Sequence, residues 1–131
     1  KQSTIVCCDY HTISISNNRD VFSFGICDTG AHGHEEEIVF PPKIVSSLKN
    51  IKSISCGTSC ACIDNDGNIY TFGKNKYGQL GIDKDLSHTS IPQKVILPPC
   101  VQISCGYYFT MCLNESGEVY SFGNNDDGQL G

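Results

Sequence analysis

From residue 51 to residue 73 apolar positions recur in short extended runs, the spacing of strands with a covered face. Ile51, Ile54 and Cys56 lie on a run that stops at Gly57, residues 60 to 63 form a second apolar run, and Ile69, Tyr70 and Phe72 form a third. Between the second and third, Asn65-Asp66-Gly67 supplies residues that tolerate the positive φ of a hairpin turn. Residues 92 to 96 read as an outer strand, because Pro92 has no N–H to donate and fits a sheet edge. No segment carries a helical period with caps. The pattern predicts an all-β chain.

The same pattern returns. YTFGKNKYGQLG at 70–81 is repeated as YSFGNNDDGQLG at 120–131, with eight of twelve positions identical. Upstream, ISCGYYFTMCLNESGEVYSFG at 103–123 matches ISCGTSCACIDNDGNIYTFG at 54–73, with one residue missing from the middle copy. A weaker copy, IVCCDYHTISISNNRDVFSFG, occupies 5–25 and is followed by ICDTGAHG. The FG pairs end at Gly25, Gly73 and Gly123, spacings of 48 and 50 residues, and FPPKIV at 40–45 matches IPQKVI at 91–96. Three to four strands recurring at this period are the signature of β-propeller blades. One small sheet cannot bury both faces, so blades stack around an axis. The repeat cores run approximately over 5–33, 51–81 and 101–131, giving two and a half to three blades of one partial propeller across 1–131. Gly78 and Gly81, like Gly128 and Gly131, are expected to permit a tight loop; Gly57, Gly73, Gly106 and Gly123 complete the structural glycines. Gln79-Leu80 and Gln129-Leu130 then offer one polar and one apolar anchor between neighbouring blades.

Each unit resembles the repeat of the regulator of chromosome condensation, whose pattern runs C-G-x-x-H-T, an apolar strand, a glycine turn, V-Y-S-W-G-x-N and G-Q-L-G. Cys105-Gly106, Gly117, Val119-Tyr120-Ser121, Gly123, Asn125 and residues 128–131 carry it in the last copy. Cys56-Gly57, Gly67, Tyr70, Gly73, Asn75 and residues 78–81 carry it in the middle one, and His11-Thr12 fits the H-T pair in the first. The resemblance implies a propeller of typically seven blades, more than these residues supply. It also implies a protein partner, for which a small GTPase is one class: the Ran exchange factor of this family faces its GTPase with acidic residues and motif histidines. Here the motif histidine is kept only as His11, with Cys60 and Phe109 read at the matching places. Phenylalanine replaces tryptophan at 24, 72 and 122, and the chain has no Trp, which excludes the light-absorbing role of the plant ultraviolet sensor with this fold. The first copy departs furthest, with Cys8 for the motif glycine, Arg19 for the turn glycine and His32 for the leucine of G-Q-L-G.

Net charge is −5 and the lysines are scattered, which disfavours direct binding to nucleic acid or an anionic membrane surface. Glu35-Glu36-Glu37 reads as a solvated loop. No apolar stretch approaches the roughly 18 residues of a membrane span, and no signal peptide is evident. The chain starts at Lys1, has Met111 as its only methionine and stops within a repeated phrase. A longer parent is therefore expected, with the remaining blades supplied by that parent or by other copies. Nine cysteines, an odd number within apolar runs, read as free thiols in a reducing compartment, cytoplasmic or nuclear.

Candidate chemistry is sparse. Cys56, Cys60 and Cys62 lack the second paired cluster of a structural zinc site and read as core thiols. His32-x-His34 beside the glutamates reads as an exposed loop. Asp64 to Gly67 fails as a calcium loop, since the required twelfth-position carboxylate would fall on Gly73. No phosphate loop or nucleophile elbow is present, so no enzyme active site, metal or cofactor is expected. Variation between copies concentrates in loops, where Lys74, Lys76 and Tyr77 stand against Asp126 and Asp127. A constant frame with variable loops is how binding surfaces are built. Tyr77, Tyr107 and His11 join these residues as binding candidates. The reading is a non-catalytic protein-interaction scaffold; the alternative is a guanine-nucleotide exchange factor that stabilises an empty small GTPase.

Overall fold

The computed structural model describes residues 4–131. Strands β1 (Thr4–Cys7), β2 (His11–Ile15), β3 (Val21–Ile26) and β4 (Ile38–Ile44) form one four-stranded sheet in chain order. A second comprises β5 (Ile51–Cys56), β6 (Ser59–Asp64), β7 (Ile69–Lys74) and β8 (His88–Lys94). The third has β9 (Cys100–Cys105), β10 (Phe109–Asn114) and β11 (Val119–Gly123). Every pairing is antiparallel, and no helix occurs among the described residues. The sheets are three successive blades of an incomplete propeller, as the repeat predicts.

Burial follows from stacking. β6 is covered at all six positions because it lies in the middle blade, with a blade on either side. β2 and β10 are covered at alternate positions only. Cys60, Cys62 and Phe72 pack towards the first blade with Ile13, Ile15, Val21, Leu48 and Ile51. Ile63 and Ile69 pack the opposite way, with Val95, Cys100 and Cys112. The open side of the third blade presents a shallow groove that includes Met111, Leu113 and Val119.

The turn after the second strand uses positive φ in every blade: 86° at Gly67, 85° at Gly117 and 66° at Arg19, which takes the glycine's place in the first copy. In the middle blade the Asp64 carboxylate accepts from the N–H groups of Asp66 and Asn68, each at 2.9 Å. The G-Q-L-G loops are held by one repeated bond, in which a strand hydroxyl donates to the carbonyl of the third loop residue. Ser23 reaches His32 at 2.5 Å, Thr71 reaches Leu80 at 2.7 Å and Ser121 reaches Leu130 at 3.1 Å. The Ser/Thr of each YSFG-like phrase thus clips the loop that follows it.

The outer strand begins earlier than the sequence suggests, at His88 instead of Pro92. His88 and Thr89 pair with Lys74 and Gly73, and pairing resumes at Gln93 opposite Thr71. Pro92 falls inside the interruption, where the ladder demands no N–H. Pro41 and Pro42 occupy the same interruption in the first sheet, between Val39 and Lys43.

Candidate interaction face

Turns β1–β2, β5–β6 and β9–β10 emerge at one end of the sheets, together with the loops that follow β3, β7 and β11. Backbone bonds tie the two sets: Ile26 N–H donates to the Tyr10 carbonyl and Asn124 N–H to that of Tyr108, both at 2.9 Å. At this end a cleft of about 440 Å³ is lined by residues that include His11, Lys74 and Tyr107, with Asp9, Asp28 and Glu37 supplying carboxylates. Beside it the rings of Tyr77 and Tyr108 lie 4.8 Å apart and those of Tyr107 and Tyr108 4.4 Å apart, while Lys76 Nζ stands 5.5 Å from the Tyr77 ring. Tyr107 is 62% exposed and Tyr77 37%. The Thr58 hydroxyl donates to the Tyr107 carbonyl and so links the second and third blades.

The repeated loop explains how Tyr77 is placed. Buried Gln79 accepts the Tyr77 N–H on Oε1 at 2.9 Å, and its own carbonyl accepts the Thr110 hydroxyl of the next blade at 2.8 Å. Asn75, a motif residue without an assigned role in the sequence reading, is buried and holds three backbone groups. Its Nδ2 donates to the carbonyls of Asp83 and Leu86, and its Oδ1 accepts from Leu80. The tip that differs between the second and third copies is therefore carried on a frame the two share, with Gln129 and Asn125 making the same bonds to Asp127 and Leu130. Of the binding candidates, His11, Lys74 and Tyr107 line the cleft and Tyr77 with Lys76 flanks it. Asp126 and Asp127 are exposed, bond only within their own loop, and line no part of this cleft.

Three readings from the sequence need correction. The residue opposite Gly73 is Ser59, just as His11 is opposite Gly25 and Phe109 opposite Gly123. Ser59, not Cys60, thus takes the motif-histidine place in the middle blade; the missing residue falls in the β5–β6 turn and shifts the count by one. Cys60 corresponds instead to Thr12 and Thr110, opposite the repeat cysteine. The second correction is that Cys56 and Cys60, being these cross-strand partners, form a disulfide and are not free thiols. Thirdly, the His32-x-His34 loop is not exposed, since His32 is fully buried and His34 is 8% exposed. His11, His32 and His34 form a string with ring centroids 6.0 and 5.6 Å apart.

Burial, then the nearby Lys43 and His32 charges, hold His34 below the ordinary histidine range, while a hydrogen bond to the Lys43 backbone and the neighbouring Glu36 act in the opposite direction. Its buried Nε2 has no hydrogen-bond partner. A proton taken up there meets a charge and no acceptor. Because the folded value is depressed, this contribution to stability is full above the unfolded value of about 6.5 and is lost as pH falls through the folded value. The thermal midpoint is expected to fall between about pH 7 and about pH 5, and less so in His34→Gln, when followed by circular dichroism. An equal fall in both proteins would reject His34 as the source.

Stacked antiparallel blades with clipped G-Q-L-G loops define a β-propeller repeat protein. Sequence comparison gives the family: the regulator of chromosome condensation (RCC1) repeat matches residues 66–113 in one form and 51–79 and 100–129 in a second. The chain belongs to this family. It is 34% identical over 119 residues to the Ultraviolet-B receptor UVR8 of Arabidopsis thaliana, covering 85% of this chain and 27% of that protein. To the human Regulator of chromosome condensation it is 31% identical over 109 residues, covering 76% of this chain and 25% of that one. The human Probable E3 ubiquitin-protein ligase HERC6 is 32% identical over 96 residues, covering 70% and 9% of the two chains. Human WBSCR16 superposes with a TM-score of 0.83 at 22% identity over 92% of this chain and 32% of that one. Yeast RCC1 (Prp20) bound to Kap60 also gives 0.83, at 20% identity over 93% and 32%. The chain thus spans about a quarter of the plant receptor and the human regulator.

Proposed function

We propose that this chain is a non-catalytic protein-interaction scaffold whose partner seats on the cleft face. The observation that carries this reading is the contact of Tyr77, Tyr107 and Tyr108 beside a cleft with several carboxylates and Lys74. Tyrosine gives large amphipathic contact area at low entropic cost, and such residues dominate interface energetics. A partner with a basic or hydroxyl-rich segment fits the carboxylates. Cytoplasm or nucleus is the proposed compartment, on the strength of the seven cysteines outside the disulfide. Among the described residues no helix is long and apolar enough to cross a membrane.

Comparative cross-linking of the full-length protein and its Tyr77→Ala/Tyr107→Ala variant in cell extract, with mass spectrometry, tests the face. Partners cross-linked through this face are expected to weaken by about 2 kcal/mol or more, roughly 30-fold. Unchanged capture of every partner would remove the face from the reading.

The second reading is a guanine-nucleotide exchange factor for a small GTPase, supported by the similarity to the human regulator and by His11 on the cleft. It requires differential affinity for the nucleotide-free GTPase. Release of labelled nucleotide from a panel of small GTPases separates the two readings: acceleration selects exchange, and none retains the scaffold.

A further inference from the structure

At the inner edge of the first two blades, beside the cleft, lies a cluster of sulfurs with no part in the proposed partner contact. Cys56 and Cys60 stand opposite each other in the second blade, and Cys8 comes to them from the turn of the first. The three Sγ atoms all lie within 4.8 Å of one another. His11 Nε2 is 3.9 Å from Cys60 Sγ. Cys8 and Cys56 are partly exposed, so an ion has a route in, while Cys60 is buried.

The cluster arises from two separate departures from the repeat. Cys8 replaces the glycine found at Gly57 and Gly106, and Cys60 replaces the threonine found at Thr12 and Thr110. Both fall beside Cys56, the cysteine the repeat already supplies. Cys27, which also neighbours Cys8, is engaged elsewhere: its sulfur accepts the Ala31 N–H at 3.2 Å and lies 3.4 Å from Thr29 Oγ1. Zinc takes tetrahedral thiolate and imidazole ligands at about 2.3 and about 2.0 Å, which places bound sulfurs roughly 3.8 Å apart.

We propose that the reduced protein binds one zinc ion through Cys8, Cys56 and Cys60 with His11 as fourth ligand, and that closure of the Cys56–Cys60 disulfide releases it. Three thiolates and a neutral imidazole favour zinc over the hard cations, which take oxygen ligands. The ion ties the first blade to the second at their inner strands, adding to the contact that β1 already makes with β5. In the release step the two thiolates of Cys56 and Cys60 lose two electrons and form the S–S bond. The oxidant is a peroxide; hydrogen peroxide takes the two electrons from the thiolates and two protons from solvent and leaves as two waters. Zinc departs with its charge unchanged.

Cobalt(II), a spectroscopic stand-in for zinc, tests the site in the full-length protein reduced with a phosphine. The reduced protein is expected to show a sulfur-to-cobalt charge-transfer band and tetrahedral d–d bands, at one equivalent more than the Cys8→Gly variant. Cys8→Gly restores the residue of the other two copies and is expected to weaken binding by at least about tenfold, the lower bound for losing even an outer partner of a ligand. Cys7→Ser, at an exposed cysteine, should leave the spectrum unchanged. Peroxide should abolish the bands as the Cys56–Cys60 peptide gains its disulfide by mass. If Cys8→Gly fails to fold, His11→Ala is read instead, expected to move the d–d bands while the charge-transfer band stays. A reduced wild type without cobalt bands, a spectrum untouched by both substitutions, or bands that survive the disulfide would each overturn the proposal.

Discussion

Phe72→Ala is expected to lower the unfolding free energy by about 3–5 kcal/mol, the range for removing a buried aromatic ring. Phe72 is fully buried and belongs to the core shared by the first two blades, among Ile13, Ile15, Val21 and Ile51. Its Cε2 also lies 3.5 Å from where a Cβ on Gly33 would stand, so the ring supports the G-Q-L-G-like loop of the preceding blade. Truncation therefore opens a cavity between blades, where two sheets would have to shift together to close it. Phe122→Ala should cost less, because Phe122 is only partly buried and packs on the smaller second core. Urea denaturation followed by far-ultraviolet circular dichroism measures both. Equal midpoints for the two variants would contradict the placement of the main core between the first and second blades.

Gly73→Ala is the second large effect, about 2–5 kcal/mol, from left-handed backbone strain and overlap acting together. Gly73 has φ +108°, and an added Cβ would stand 2.8 Å from the Ala31 Cβ and 2.9 Å from the Ser59 Cα. It also sits at the register shift between β7 and β8, as Gly25 does between β3 and β4. A side chain there collides with its own sheet and with the neighbouring blade's loop. Gly78→Ala is the control: φ is +76°, but nothing lies within 4 Å of the new atom. It should cost only about 1–2 kcal/mol. A Gly73→Ala midpoint no lower than that of Gly78→Ala would show that the close approach of Ala31 and Ser59 carries no energetic weight.

The strands of each blade are legible in the chain, because alternation, turn residues and the FG phrase act over a few residues and recur in each copy. The sequence alone sets Cys60 at the histidine place because a one-residue deletion in a turn leaves the local pattern intact; only pairing to Gly73 reveals that Ser59 takes it. Tyr77 and Tyr107 were legible as surface aromatics, but their joint contact with Tyr108 was not, since it joins loops of two blades. The His32–His34 pair looks solvated in the sequence, where hydrophilic residues stand beside three glutamates, yet the folded chain buries both residues.

The amino-acid sequence by itself determined the repeat, the strands, the glycine turns and the family, all of which depend on neighbours close along the chain. The tertiary structure alone decided which side chains from successive blades meet. Cys8 reaches Cys56 and Cys60, and His11 reaches Cys60 49 residues away, because blade stacking lays the inner strands and turns of consecutive copies side by side. Those contacts depend on blade rotation and turn length, quantities spread over the whole packed core and written in no single segment.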